Sequence, residues 1–119
     1  SVSGPALLAQ ILPKNIAFEI LFTGDFIDAN RAHELMLVNH VVAPDEVIPR
    51  AVEIAQKIVA NAPLSLAAIK ESSIMGAAMD LERRVAFAQL KRDVVLHTED
   101  AAEGVKAFAE KRAPVWKGR

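Results

Sequence analysis

The clearest pattern in the chain lies between Asp45 and Ala60. With residues spaced at about 100°, Val47, Ile48, Ala51, Val52, Ile54, Ala55, Ile58 and Val59 fall on one broad arc. Glu46, Arg50, Glu53, Gln56 and Lys57 fall on the other. This predicts a surface helix with one buried face. Asn61-Ala62-Pro63 breaks it, and Pro63 starts another helix toward Gly76. Asp80 to His97 patterns differently. Leu81, Val85, Ala88, Val95 and Leu96 make one apolar arc; Phe87, Leu90 and Val94 make a second, roughly opposite. Two stripes imply two packing partners. The second partner is either a neighbouring subunit or the interior of the same domain.

Toward the N-terminus, Gly4-Pro5 opens a first helix, and Pro13 ends it or begins the next. Asn15 to Phe22 is nearly all apolar, which predicts a helix buried on all sides, with Gly24 as its C-terminal cap. Glu19 stands out there, because a carboxylate in an apolar segment needs a partner; a salt bridge to a neighbouring helix is expected. Asp28 is a good N-cap for a short helix from Ala29 to about Leu35. The β-branched V-N-H-V-V at 38–42 predicts one short strand or extended segment. Thr98 caps the last helix, with Glu99 and Asp100 at its positive end. Lys111 and Arg112 are expected in its last turn, and Pro114 prevents continuation.

Composition narrows the function classes. The 119 residues carry a net charge of −1, so no strong field favours nucleic acid or an anionic membrane. No apolar run approaches the roughly 18–20 residues of a membrane span. The 52% hydrophobic fraction fits a generous core or a buried oligomer interface. Absence of Cys excludes disulfides and thiolate metal sites and fits a reducing, cytoplasmic compartment. His33, His40 and His97 sit in separate predicted elements without ligand spacing, so no metal site is expected. His33 reads as a helix-surface residue and His40 as a strand residue facing solvent. Ser65, Ser72 and Ser73 lack the elbow of a strained nucleophile and read as ordinary small polar residues. Ser1 to Gln10 has no basic leader, and Ser1 in place of Met leaves a processed, truncated or Met-omitted start open.

Two ordered blocks then carry a resemblance. The run from Thr98 to Arg119 reads T-E-D-A-A-E-G-V-K-A-F-A-E-K-R-A-P-V-W-K-G-R. An earlier block reads T-G-D-F-I-D-A from Thr23, continuing to L-M-L-V-N-H-V-V at 35–42. Together they resemble the C-terminal part of the crotonase (enoyl-CoA hydratase/isomerase) family, over nearly the whole chain. The implied fold is mainly α: a helical C-terminal region of a crotonase-like fold with one short strand, the N-terminal spiral core absent. On this view residues 1–119 form a single helical region. Residues 1–76 flank the acyl pocket, and 80–119 are helices of the trimerisation type.

The resemblance also implies chemistry. The family binds coenzyme A thioesters, holds the thioester oxygen on two backbone N–H groups, and moves protons with glutamates in syn-hydration of 2-enoyl-CoA. All these groups would lie before Ser1, so no catalytic residue is assigned in this chain, and alone it is expected to be inactive. No separate cofactor is expected, since coenzyme A is part of the substrate. An aromatic residue and a lysine at the positions of Phe108 and Lys111 help bind coenzyme A, often reaching a neighbouring subunit's site. Spaced by three, they are expected to share a helix face. The plainer roles are a core Phe and a helix-end Lys. The partners implied are an acyl-CoA thioester in the intact protein and further copies, as a trimer or dimer of trimers. A stand-alone helical oligomerisation module without catalysis is the alternative.

The chain departs from the family at Met36 and Pro13, where Gly is usual, at Trp116, where Phe is usual, and at Ser1–Gly4, where only Gly4 remains of a glycine-rich turn. Met36 either takes the left-handed conformation of a helix cap or packs its side chain in a right-handed one.

Overall fold

The structure, a computed structural model, describes residues 3–119, without the side chains of Ser3 and Ala6. Ser1 and Val2, half of the turn equivalent, lie outside the described residues. Among the described residues seven α-helices follow one another: α1 (Ser3–Ile11), α2 (Lys14–Thr23), α3 (Ala29–Glu34), α4 (Val47–Val59), α5 (Pro63–Gly76), α6 (Leu81–Leu96) and α7 (Glu99–Ala109). The chain divides after Arg50, within α4, into two compact units.

In the first unit α1 and α2 pack together through the bend at Pro13, burying Leu12 and Ala17. Gly24, at φ 70°, closes α2 by donating its N–H to the Ile20 carbonyl at 3.1 Å. The Asp28 side chain caps α3 by accepting the Arg31 N–H at 2.7 Å.

The predicted strand at 38–42 does not form; the segment is irregular, with a bend at 37–39, up to a 3-10 turn at Pro44–Glu46. A strand needs a neighbour to pair its N–H and C=O groups, and no second strand exists among the described residues. Two burial expectations also fail. Of α2 only Ala17 is buried, with Phe18 and Phe22 stacked on each other at 5.3 Å and facing outward. No residue of α4 is buried, and its apolar stripe lies open at Ile48 (70% exposed) and Val59 (74% exposed). Glu19 is exposed as well, so the burial that called for an ion-pair partner is absent.

The second unit is built on α5 and α6, which run back along each other after a short connection. Arg84 donates from Nε to the Gly76 carbonyl at 2.9 Å, and Lys91 pairs with Glu71 at 2.6 Å. These contacts put the seam between the two predicted stripes of α6 against α5. The outer edges of both stripes, among them Leu81, Val85, Leu90, Val94 and Leu96, stay exposed. The accessible surface is 9479 Å². Two independent compact domains of these two lengths would together expose about 7,600 Å². Among the described residues these apolar side chains stay uncovered.

Candidate functional site

The last helix and the tail behind it carry the most developed polar structure. Thr98 caps α7, its hydroxyl oxygen accepting the Ala101 N–H at 3.1 Å. The next turn presents three carboxylates, and the structure gives them more than the macrodipole role their positions suggest. Asp100 is 1% exposed. Its two oxygens accept the Lys117 N–H at 2.7 Å and the Gly118 N–H at 2.9 Å. Its own N–H donates to the Arg119 carbonyl at 3.2 Å. Gly118 turns there at φ 72°. Glu99 pairs with Lys117 at 3.1 Å and Arg119 at 3.2 Å; the Lys117 hydrogen bond, then the Arg119 charge, holds its carboxyl below the usual range.

Glu103 is the central partner. Arg112 reaches back nine residues and grips it with two parallel bonds, at 2.6 and 3.0 Å. The Val115 N–H donates to the same carboxylate at 2.9 Å. The Arg112 bonds foremost, then the Val115 N–H, push the Glu103 carboxyl down to about 2, while the bonds to Glu103 first and Glu110 second raise the Arg112 guanidinium above its ordinary value. Trp116 completes the strap, donating from Nε1 to the Ala60 carbonyl at 2.9 Å. Its ring lies against Gly104, where an added Cβ would meet it at 3.4 Å. A groove of about 540 Å³ runs between α7 and this strap, lined among others by Glu103, Lys106, Arg112 and Lys117.

Phe108 and Lys111 sit at the far end of α7. Phe108 is 88% exposed, so within this chain it is not a core residue. Lys111 is not in the last turn: α7 stops at Ala109, with Glu110 as its cap. Lys111 follows in the left-handed region, at φ 53°. Its N–H donates to the Phe108 carbonyl at 3.2 Å, and that of Arg112 to the Ala107 carbonyl at 3.0 Å. This is the paired-bond helix ending normally built on Gly. Helical i,i+3 spacing therefore does not govern the Lys111 side chain. Met36 ends α3 in the same way, at φ 59°, with Met36 N–H to the His33 carbonyl and Leu37 N–H to the Ala32 carbonyl, each at 2.9 Å. The left-handed alternative for Met36 is the one realised.

A second groove, of about 490 Å³, opens between α5 and α6. Ser65, Ser72 and Ser73 line it beside Ile69, Ala88 and Val95, with Lys91 and Arg92 also on its wall. His33 Nδ1 lies 3.1 Å from the Val38 carbonyl, and His97 Nδ1 lies 2.7 Å from that of Asp93. His40 is exposed, its Nε2 at 3.5 Å from Arg50. Sequence reasoning missed the tertiary roles of Asp100, Glu103 and Trp116. The available signal was an acidic triplet at a helix start answered by basic residues flanking a Pro-containing tail.

Comparison with known proteins agrees with this architecture. The Enoyl-CoA hydratase/isomerase family matches residues 2–119. A carnitinyl-CoA dehydratase from Salmonella typhi is 44% identical over 120 residues, covering 98% of this chain and 46% of that protein. An (E)-benzylidenesuccinyl-CoA hydratase from Thauera aromatica is 38% identical over 117 residues, with coverage of 98% and 46%. The crystal structure of an enoyl-CoA hydratase from Bacillus anthracis superposes with a TM-score of 0.95 at 35% identity, covering 98% of this chain and 45% of that one. The chain thus spans just under half the length of these relatives, and it belongs to the enoyl-CoA hydratase/isomerase family.

Proposed function

We propose that this chain is the part of a coenzyme A thioester hydratase that closes the coenzyme end of the site and supplies packing surface for other subunits. In this reading Phe108 offers its ring to adenine and Lys111 its ammonium to phosphate. Oxyanion stabilisation and proton transfer belong to the half of the relatives that this chain does not span. The chain alone then has no hydratase activity, since loss of one oxyanion donor already costs ~10²–10³ in rate. The observation that carries the reading is the end of α7. There an aromatic ring stands 88% exposed, three residues before a lysine held in a left-handed turn, within a family whose relatives are named for coenzyme A thioesters.

The test is titration of the purified chain with coenzyme A by calorimetry, beside Phe108→Ala and Lys111→Ala. Binding weakened by both variants supports the reading. Equal binding by all three, or crotonyl-CoA hydration by the chain alone, refutes it. The alternative, a helical oligomerisation module, draws on the open apolar stripes of α4 and α6. It is favoured if the chain sediments as a defined oligomer and binds no coenzyme A.

A further inference from the structure

The backbone at Lys111 is costly. A side-chain-bearing residue in the left-handed region carries strain. At Met36 the paired backbone bonds of the helix ending hold it; at Lys111 side chains add to the same pair of bonds. The residue on one side, Glu110, is the cap of α7, and its carboxylate accepts a bond from Arg112 Nε at 2.6 Å. The residue on the other side, Arg112, is held by both oxygens of Glu103 at 2.6 and 3.0 Å. The chain is tied a third time where the Val115 N–H meets Glu103. Lys111 thus sits between the capped end of α7 and a following segment that Arg112 and Val115 both tie to the Glu103 carboxylate. Glu103 itself stands nine residues before Arg112 and under two helical turns before the end of α7.

We infer that Glu103 is a positioning residue for Lys111: through Arg112 it fixes the left-handed turn that aims the ammonium. The inference rests on the reading of Lys111 as a coenzyme A contact. It adds that the contact depends on an ion pair touching no ligand. Without the pair, Arg112 is released, the turn relaxes toward right-handed conformers, and the ammonium samples a wide cone. A flexible four-carbon stem on a mobile backbone contributes little to phosphate binding, because the ordering entropy returns at the moment of binding.

The probe is adenosine 3′,5′-bisphosphate, titrated by calorimetry into the parent chain, Glu103→Gln, Lys111→Ala and the double variant. The expected result is roughly tenfold weaker binding for Lys111→Ala, as for loss of a charge-assisted contact. A comparable loss is expected for Glu103→Gln, with no further loss in the double variant. Equal losses from Glu103→Gln in both backgrounds would overturn the inference. The ligand-free state gives a second readout: the Lys111 Cα and Cβ chemical shifts and backbone order parameter by NMR. Glu103→Gln should move these toward averaged values while Ala101 to Ala107 keep helical shifts. An unchanged Lys111 overturns the inference. Should the parent not bind the probe, the coenzyme reading falls, and the NMR comparison alone decides the positioning. Arg112→Gln removes the pair from its other end while leaving the Val115 N–H its acceptor, so a Glu103 variant that fails to fold does not stop the test; unchanged Lys111 shifts in that variant overturn the inference equally.

Discussion

Replacing Met36 by Gly should leave the protein as stable or more stable. Met36 sits at φ 59°, and its N–H and that of Leu37 close α3 on the His33 and Ala32 carbonyls. The left-handed conformation costs a side-chain-bearing residue roughly 1–2 kcal/mol. Gly removes this cost but gains unfolded-state freedom worth roughly 0.5–1 kcal/mol. The side chain is 86% exposed. Full burial of a Met is worth about 1.5–3 kcal/mol, so deleting this one forfeits only about 0.2–0.4 kcal/mol. The net change is centred on about 0.5 kcal/mol in favour of Gly. Met36→Ala isolates the cause, since it loses the same side chain but keeps the Cβ. The Gly variant should therefore exceed the Ala variant by roughly 0.5–1 kcal/mol. In urea, with a slope of about 2 kcal/mol per molar, that is a midpoint difference of about 0.25–0.5 M, read by far-ultraviolet circular dichroism. A Gly variant less stable than the Ala variant would refute the reasoning. So would a midpoint drop in both matching the ~2–5 kcal/mol of a large-to-small core change.

Two further outcomes test the strap behind α7. Bonding to Arg112 lowers the Glu103 carboxyl from 4.5 to about 2, and Glu99 is lowered by Lys117 and Arg119. A depressed carboxylate stabilises the folded form above its unfolded value, and that contribution is lost as pH falls through the folded one. Trp116 emission should therefore report strap release between about pH 4.5 and pH 2; an identical acid transition in Glu103→Gln would contradict this. Asp100→Ala should free the Lys117 and Gly118 N–H groups, at roughly 1–3 kcal/mol for each donor left unsatisfied and less where water replaces the acceptor. Unchanged hydrogen-exchange protection at these two amides would show that the carboxylate does not hold the tail.

Local signals were legible without coordinates because they act over one helical turn. Gly24, Asp28 and Thr98 each stand at the helix boundary that their backbone or side-chain chemistry dictates. Pro63 likewise starts α5. The family was readable from two motif blocks, and the left-handed turn at Met36 from the Gly it replaces. Failures came where an outcome depends on what lies across from a residue. The 38–42 segment has strand composition but no second strand among the described residues to pair with. The stripes of α4 and both edges of α6 are apolar, yet apolarity specifies a buried face only when a partner is present to bury it. Lys111 reads as a helix-end lysine until the paired bonds ending α7 place it one residue past the cap. The bonds from Arg112 to Glu103, from the tail to Asp100 and from Trp116 to Ala60 join positions 9 to 56 residues apart in the chain. Periodicity carries no information at those separations. Only the fold, by returning the tail along α7, decides which carboxylate meets which donor.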